Sequence, residues 1–396
     1  MSTAGAPLSA LVLDANQRSA LATVRSLGRQ GLFVAAADSG TAPLAGTSRY
    51  CRLTLRYPDP NREPRAFVAA VAAMVAEHGF DLVLPMTDVT TMLLVDKAAS
   101  LAPARLGCAS HLAYESLTDK SALVSRAQSL GMLVPKTIVA RSPAEIAKAA
   151  DTFGYPFVIK PGRSKYMRGE SLASTGVRVV HSAGELEQVV PTLSWLGEIP
   201  CLAQEFIPGH GAGVFCLMDG TKAVAWFAHR RIREKPPGGG VSVLSESAPL
   251  DPALQESARQ LLTSVGWFGP AMVEYRIDPQ GKAYLMEVNG RFWGSLQLAI
   301  DSGIDFPWLL CQVLSGPDMR VPTPSASRAR MRWLLGDLDR LIILLRDRSY
   351  SSSAKLRNVA GFIATCFDLS CKQEIFRWRD PAPALKELRQ WLGALR

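Results

Sequence analysis

The sequence predicts an α/β chain: an open parallel sheet first, then an α+β region, then a helical tail. Three observations carry this. SALVLDA (Ser9–Ala15) and LFVAAAD (Leu32–Asp38) are apolar runs separated by a helical pattern at Leu21, Val24 and Leu27, which makes a βαβ unit. From Gly213 to Asn289 the chain reads as antiparallel strands with one long helix, Pro252 to Val265, inserted. The last 70 or so residues read as helices.

The N-terminal alternation continues through a helix (Glu63–His78), the strand DLVLPM (Asp81–Met86) and a further helix. Its first turn reads DANQRSA and lacks G-x-G-x-x-G, so a dinucleotide at that turn is disfavoured. Near Leu117 the texture changes. A helix capped by Thr118 or Asp119 stops at Gly131, and a second helix runs from Pro143 to Thr152. The strand YPFVIKPG follows, then the small and basic loop RSKYMRGESLASTG (Arg163–Gly176), then CLAQEFIPG (Cys201–Gly209). The expected domains are 1–115, 116–200, 201–320 and 321–396.

Composition is that of a globular protein, with 48% hydrophobic and 20% charged residues. No apolar run approaches the roughly 18 residues of a membrane span. The N-terminus lacks a basic n-region and Asp14 interrupts its apolar run, so no signal peptide is expected. The seven cysteines never form C-x-x-C and read as reduced thiols of a cytoplasmic protein. From Ser325 onward there are 14 Lys+Arg against 7 Asp+Glu, so most of the net charge of +9 belongs to the tail.

Two alternating runs flank Asp278-Pro279-Gln280-Gly281, a turn signal, in AMVEYRIDPQGKAYLMEVN. Side chains alternate with period two, so Val273, Tyr275 and Ile277 are expected to share a face with Tyr284, Met286 and Val288. Glu274, Glu287 and Asn289 then share the other. Two carboxylates that close repel one another and are costly to desolvate unless a cation joins them. An all-oxygen set without His or Cys suits Mg²⁺ (or Mn²⁺), with water and nucleotide phosphates completing its shell. A solvated hairpin face is the alternative on these residues alone.

With Lys120, Lys160 and QEFI (Gln204, Glu205, Phe206, Ile207), in this order and spacing, the chain resembles the ATP-grasp superfamily. That group includes D-alanine–D-alanine ligase, biotin carboxylase and carbamoyl-phosphate synthase. The resemblance spans roughly residues 1–315 and is most specific from Ala271 to Pro307. It implies a pre-ATP-grasp domain followed by a two-lobed ATP-grasp domain. It also implies ATP and Mg²⁺ as cofactors. By this likeness Lys120 and Lys160 meet the nucleotide, and Gln204 to Ile207 form the adenine hinge. Glu274, Glu287 and Asn289 hold the metal, and Arg291 steadies the transferred phosphoryl group. Two departures stand out: PGHGAG replaces the usual ribose-binding glutamate region, and the phosphate loop lacks consecutive glycines. Arg163, Ser164, Lys165 and Ser171 are candidates to replace the missing glycines.

HRRIREKPPGGGVSVLSES (His229–Ser247) looks like a signature of carboxylate–amine ligases that carry a pre-ATP-grasp domain. His229, Arg230, Arg231 and Arg233 make a donor-rich patch suited to a carboxylate or phosphate. Gly239 and Gly240 let backbone N–H groups approach an anion, with Ser242 beside them. Arg231 joins Arg291 and Lys160 as a catalytic candidate, and Glu246 or His229 are candidate bases. Thr87 and Asp88 end a parallel strand, where ligands often bind, although an ordinary helix cap is the preferred reading.

The implied reaction is ADP-forming amide synthesis: a carboxylate is activated as an acyl phosphate and joined to an amine. The alternatives are chemistry through carboxyphosphate or a catalytically silent nucleotide-binding module. Small-molecule substrates and a homodimer are expected, and nucleic acid is not. RMRWLLGDLDRLIILLRDR (Arg330–Arg348), with basic residues flanking an apolar face, raises a peripheral membrane contact beside the default of a helix packed on the core.

Overall fold

The computed structural model describes residues 8–163, 165–237, 239–315 and 328–394. The N-terminal layer contains β1 (Ser9–Val12), α1 (Arg18–Arg29), β2 (Phe33–Asp38), β3 (Leu53–Arg56), α2 (Pro64–His78), β4 (Leu82–Leu84), α3 (Asp88–Val95), β5 (Arg105–Leu106) and α4 (His111–Thr118). Its strands pair in the order β3-β2-β1-β4-β5, all parallel. Helices cover both faces, so β1 and β2 are nearly continuous apolar runs rather than alternating ones. The first turn is closed by its own polar groups: Asp14 accepts from the Met86 N–H at 3.0 Å and from Thr90 Oγ1 at 2.6 Å.

The small lobe comprises α5 (Lys120–Ser129), β6 (Thr137–Ala140), α6 (Pro143–Phe153), β7 (Phe157–Pro161), β8 (Lys165–Arg168), β9 (Ser171–Ser174), β10 (Arg178–Val180), α7 (Ala183–Val189) and β11 (Cys201–Glu205). Asp119 caps α5 by accepting from the N–H groups of Ser121 and Ala122 at 3.0 and 3.1 Å. The antiparallel order is β10-β7-β11-β6, and β8 with β9 forms a separate hairpin.

The large lobe contains β12 (His210–Asp219), β13 (Lys222–Lys235), β14 (Val241–Ser247), α8 (Pro252–Thr263), β15 (Phe268–Ile277), β16 (Ala283–Asn289), α9 (Leu296–Asp301) and α10 (Phe306–Ser315). The tail adds β17 (Arg330–Arg332), α11 (Leu334–Arg346), α12 (Ser352–Cys366), β18 (Cys371–Gln373) and α13 (Ala382–Ala394). The tail is mostly helical, as expected, but it also extends the large sheet, whose order is β16-β15-β12-β13-β14-β17-β18. These two strands are three residues each, too short to show a period.

The layers are joined by apolar packing and by polar links. A shared core brings Ala20 and Val24 of α1 together with Phe215, Trp293 and Phe306 of the large lobe. The tail reaches back to the first helix: buried Arg25 donates to Asp380 at 2.8 Å and to the Ile375 carbonyl at 2.8 Å.

Candidate active site

The β15–β16 register pairs Glu274 with Glu287 and Met272 with Asn289, so the pleat puts both carboxylates and the amide on one face. Asn289 Nδ2 donates to Glu274 at 3.2 Å and to Glu287 at 3.4 Å. The other face needs a correction. After Glu274–Glu287 the register steps to Tyr275–Leu285, passing over Met286. This bulge shifts the rest of β16 by one, so Leu285 and Ala283, not Met286 and Tyr284, lie opposite Tyr275 and Ile277. Leu285 is accordingly buried and Met286 only half-buried.

Cations gather around the two carboxylates. Lys120, at the start of α5, lies 3.8 Å from Glu287, and Arg231 of β13 lies 3.6 Å from Glu274. Lys160 is buried near the end of β7, with Glu287 and Glu274 in its field. Burial pushes its ammonium down to about 8, against the opposing pull of Glu287. Burial, reinforced by Glu287, pushes the Glu274 carboxyl up to about 7. The donor set is all oxygen, and a dication would relieve the charge that burial penalises, so these residues fit Mg²⁺. Asn289 would first have to turn its amide, because its oxygen now accepts from Arg291 at 3.4 Å. Among the described residues no group of three or more His, Cys, Asp or Glu could hold a metal ion.

A cleft of about 240 Å³ opens here, lined by Lys120, Glu287, Asn289 and Arg291 on one side. Asp88, Tyr114 and Glu115 line it from the N-terminal layer, and Arg163 and Lys165 from the expected phosphate loop. Arg291 is gripped by Asp88 through two hydrogen bonds of 2.9 and 3.0 Å. Thr87 caps α3, accepting from the Thr90 N–H, so the cap reading holds for Thr87 while Asp88 faces the cleft. Gly290 is required by close packing, because a Cβ there would lie 2.9 Å from the rings of Trp267 and Tyr114.

The phosphate-loop candidates divide. Arg163 is held by Glu115 and, at 3.1 Å, by Asp119. Lys165 bonds to Ser174 and lies 3.4 Å from Asn61 Oδ1. Ser171 is exposed, opposite Arg168 at the far end of the hairpin, and does not line the cleft. Ser164 lies outside the described residues. In the expected hinge, the Gln204 side chain donates to Thr137 Oγ1 at 2.9 Å and the Glu205 N–H to the Lys136 carbonyl at 2.9 Å. Phe206 and Ile207 follow β11, and the Ile207 carbonyl accepts from Arg276 at 3.1 Å.

The basic patch expected on β13 is split by the sheet. Arg231 pairs with Ser245 and reaches Glu274 on the carboxylate face. Arg230 pairs with Glu246 and so points to the reverse, where Glu246 is buried among Arg230, Arg328 and Arg330. A bulge after Arg231 turns Arg233 to that reverse face as well. There Arg233 bonds to buried Asp337 at 2.7 Å, the Gly361 carbonyl at 2.7 Å and Thr365 at 3.0 Å. His229 is half-buried, stacked 4.7 Å from Phe215, with Nε2 3.1 Å from Ser295 Oγ. Burial pushes its imidazole down to about 3. Neither candidate base therefore faces the cleft in a useful form: His229 is too weakly basic, and the three arginines hold Glu246 below the usual carboxylate range despite its burial. Gly239 and Gly240 form the β13–β14 turn. Gly240 has φ 144°, and a Cβ there would strike the Lys235 carbonyl. Ser242 Oγ donates to the Leu244 carbonyl at 3.4 Å.

Tyr114 and Glu115 were not visible as site residues in the sequence. Nothing local marks them; only the docking of α4 beside β16 brings them to the cleft.

Residues 198–336 match the family model described as ATP-grasp in the biosynthetic pathway with Ter operon. A D-alanine–D-alanine ligase from Gloeobacter violaceus is 25% identical over 224 residues, covering 52% of this chain and 70% of that one. Biotin carboxylase from Campylobacter jejuni, solved as a β,γ-ATP complex, superposes with TM-score 0.65 at 17% identity, over 81% of this chain and 74% of that one. An L-amino acid ligase from Bacillus licheniformis gives TM-score 0.64 at 19% identity, over 82% and 79%. At these identities the solved structures speak for the fold.

Proposed function

We propose, on the premise that this chain carries an ATP-grasp domain, that it is an ADP-forming ligase joining a carboxylate to an amine through an acyl phosphate. One observation carries the proposal: Lys120, Lys160, Arg231 and Arg291 gather around Glu274, Glu287 and Asn289, at a cleft lined by Lys120, Glu287, Asn289 and Arg291.

Lys160 and Lys120 bind the nucleotide phosphates as point charges, and the backbone of residues 204–207 reads adenine. Glu274, Glu287 and Asn289 would hold Mg²⁺, which would supply charge neutralisation at the nucleotide phosphates. The substrate carboxylate attacks the γ-phosphorus, the bond to the bridging oxygen breaks, and ADP leaves. Arg291, with up to two N–H donors toward the cleft once it leaves Asn289, stabilises the charge on the transferred group. Arg231 steers the carboxylate from the sheet floor. The amine then attacks the acyl carbon and expels phosphate. We take the protein to be cytoplasmic and homodimeric.

The test is purified protein with MgATP and pooled carboxylates and amines, followed for ADP and phosphate. Amine-dependent ADP release supports the proposal. Release that needs bicarbonate instead points to carboxyphosphate chemistry, and tight nucleotide binding without turnover to a silent module. Glu287→Gln should lower turnover by on the order of 10²-fold or more with the fold intact; full activity in that variant would remove the metal assignment.

A further inference from the structure

We infer that the outward face of α12 is a docking surface for an anionic lipid membrane. The segment first suspected, Arg330–Arg348, is largely committed elsewhere: Leu341 and Leu344 of α11 are buried, and Arg330, Arg332 and Arg340 bond within the protein. The next helix is different. None of its residues is buried.

At about 100° per residue, α12 has two opposite faces. Asn358, Gly361, Phe362 and Thr365 point inward and receive Arg340, Arg233 and Arg332. Leu356, Ala360, Ile363 and Phe367 form the opposite stripe, continuing into Leu369 just past the helix. Exposure is 70% at Leu356, 51% at Ile363, 79% at Phe367 and 99% at Leu369. A stripe about 16 Å long of large apolar side chains facing outward marks an interaction surface rather than scattered exposure.

Its charge selects the occupant. Lys355 and Arg357 flank the stripe on either side, and Lys355 donates to the Leu345 carbonyl at 2.9 Å, which brings exposed Arg346 and Arg348 to the same end. At the other end Asp368 binds Arg330 at 3.0 Å, and Arg330 belongs to the cluster with Arg230 and Arg328 around Glu246. Seven cations thus bracket the stripe against three carboxylates, Glu246, Asp347 and Asp368. A second copy would set cations against cations whether the helices ran parallel or antiparallel. Nucleic acid would leave the apolar stripe without a partner. A lipid surface satisfies both features: headgroups meet the cations, and Phe367 and Leu369, which protrude farthest, enter the acyl boundary.

The full chain should co-sediment with vesicles of equal parts phosphatidylglycerol and phosphatidylcholine and not with phosphatidylcholine alone. Arg346→Gln combined with Arg357→Gln should weaken binding by roughly tenfold or more, and about 0.5 M salt should act in the same direction. Phe367→Ser combined with Leu369→Ser should weaken it about tenfold at an unchanged thermal midpoint, since both side chains are exposed. Absence of binding, equal binding to both vesicle types, or serine variants that bind like the parent would each overturn the inference. Self-association abolished by Leu356→Glu would overturn it too, assigning the stripe to a second copy.

Discussion

Asp88, in the first turn of α3, grips Arg291, in the loop after β16, side-on through Nε and one terminal nitrogen of the guanidinium, at 2.9 and 3.0 Å. The pair joins the N-terminal layer to the β15–β16 hairpin across 203 residues of sequence. A bidentate pair fixes the plane of the guanidinium as well as its place. Asp88→Asn keeps the size but loses the charge and one acceptor. It should lower kcat by about 10-fold to 10²-fold with little change in nucleotide affinity. Steady-state kinetics beside ADP titration checks this, and an unchanged kcat would reduce the pair to a structural link.

The Glu274–Glu287 face should record its charge in the pH dependence of stability. Glu274 sits at about 7 in the folded protein against an ordinary 4.5, so between those values the folded state holds the extra proton. Stability therefore falls as pH rises through that window. Lys160 sits at about 8 against 10.5, so the unfolded state holds the extra proton there and stability rises with pH from 8 to 10.5. Without metal, the strain from both groups is greatest near pH 7–8. Glu274→Gln should match the parent near pH 4 and exceed it above pH 7, by on the order of 1 kcal/mol, while losing turnover. Chemical unfolding at the two pH values measures the difference. A variant less stable than the parent at pH 8 would contradict the electrostatic account.

What the sequence discloses here is what period and spacing carry. The βαβ unit is visible because β1 and β2 are nearly continuous apolar runs, and Glu274, Glu287 and Asn289 are visible because one pleat links them. The bulges are not. Nothing in LMEV announces that Met286 is passed over, nor does anything in RRIRE announce the turn-over between Arg231 and Arg233. A bulge changes facing without changing residue type, so reasoning from alternation fails just beyond it. Tyr114, Glu115 and the Asp88–Arg291 pair depend on how layers dock, which leaves no local trace.

His229 should be invisible in the pH profile. Its imidazole, pushed down to about 3 by burial and by Arg231, stays neutral across the working range. Its role is to brace Ser295, and with it the loop that begins at Arg291, against Phe215. His229→Gln should lower kcat several-fold, through looser positioning, without moving either limb of the profile. A limb near pH 6 that vanished in this variant would restore His229 as a proton carrier.

Arg231 and Arg233 give the sharpest contrast, because two arginines two residues apart face opposite sides of one sheet. Arg231→Ala removes a cation 3.6 Å from Glu274. It should cost about 10²-fold in kcat/KM and leave stability nearly unchanged, because the lost pair is only partly buried. Arg233→Ala strips one of the two arginines that neutralise Asp337, which is fully buried, and leaves Arg332 alone with it. That should destabilise the protein by about 2–4 kcal/mol while kcat per folded molecule stays near the parent value. Unfolding curves and active-site-normalised kinetics on the two variants check both halves. If Arg233→Ala instead lost turnover at full stability, β13 would be facing the wrong way, and the bulge after Arg231 with it.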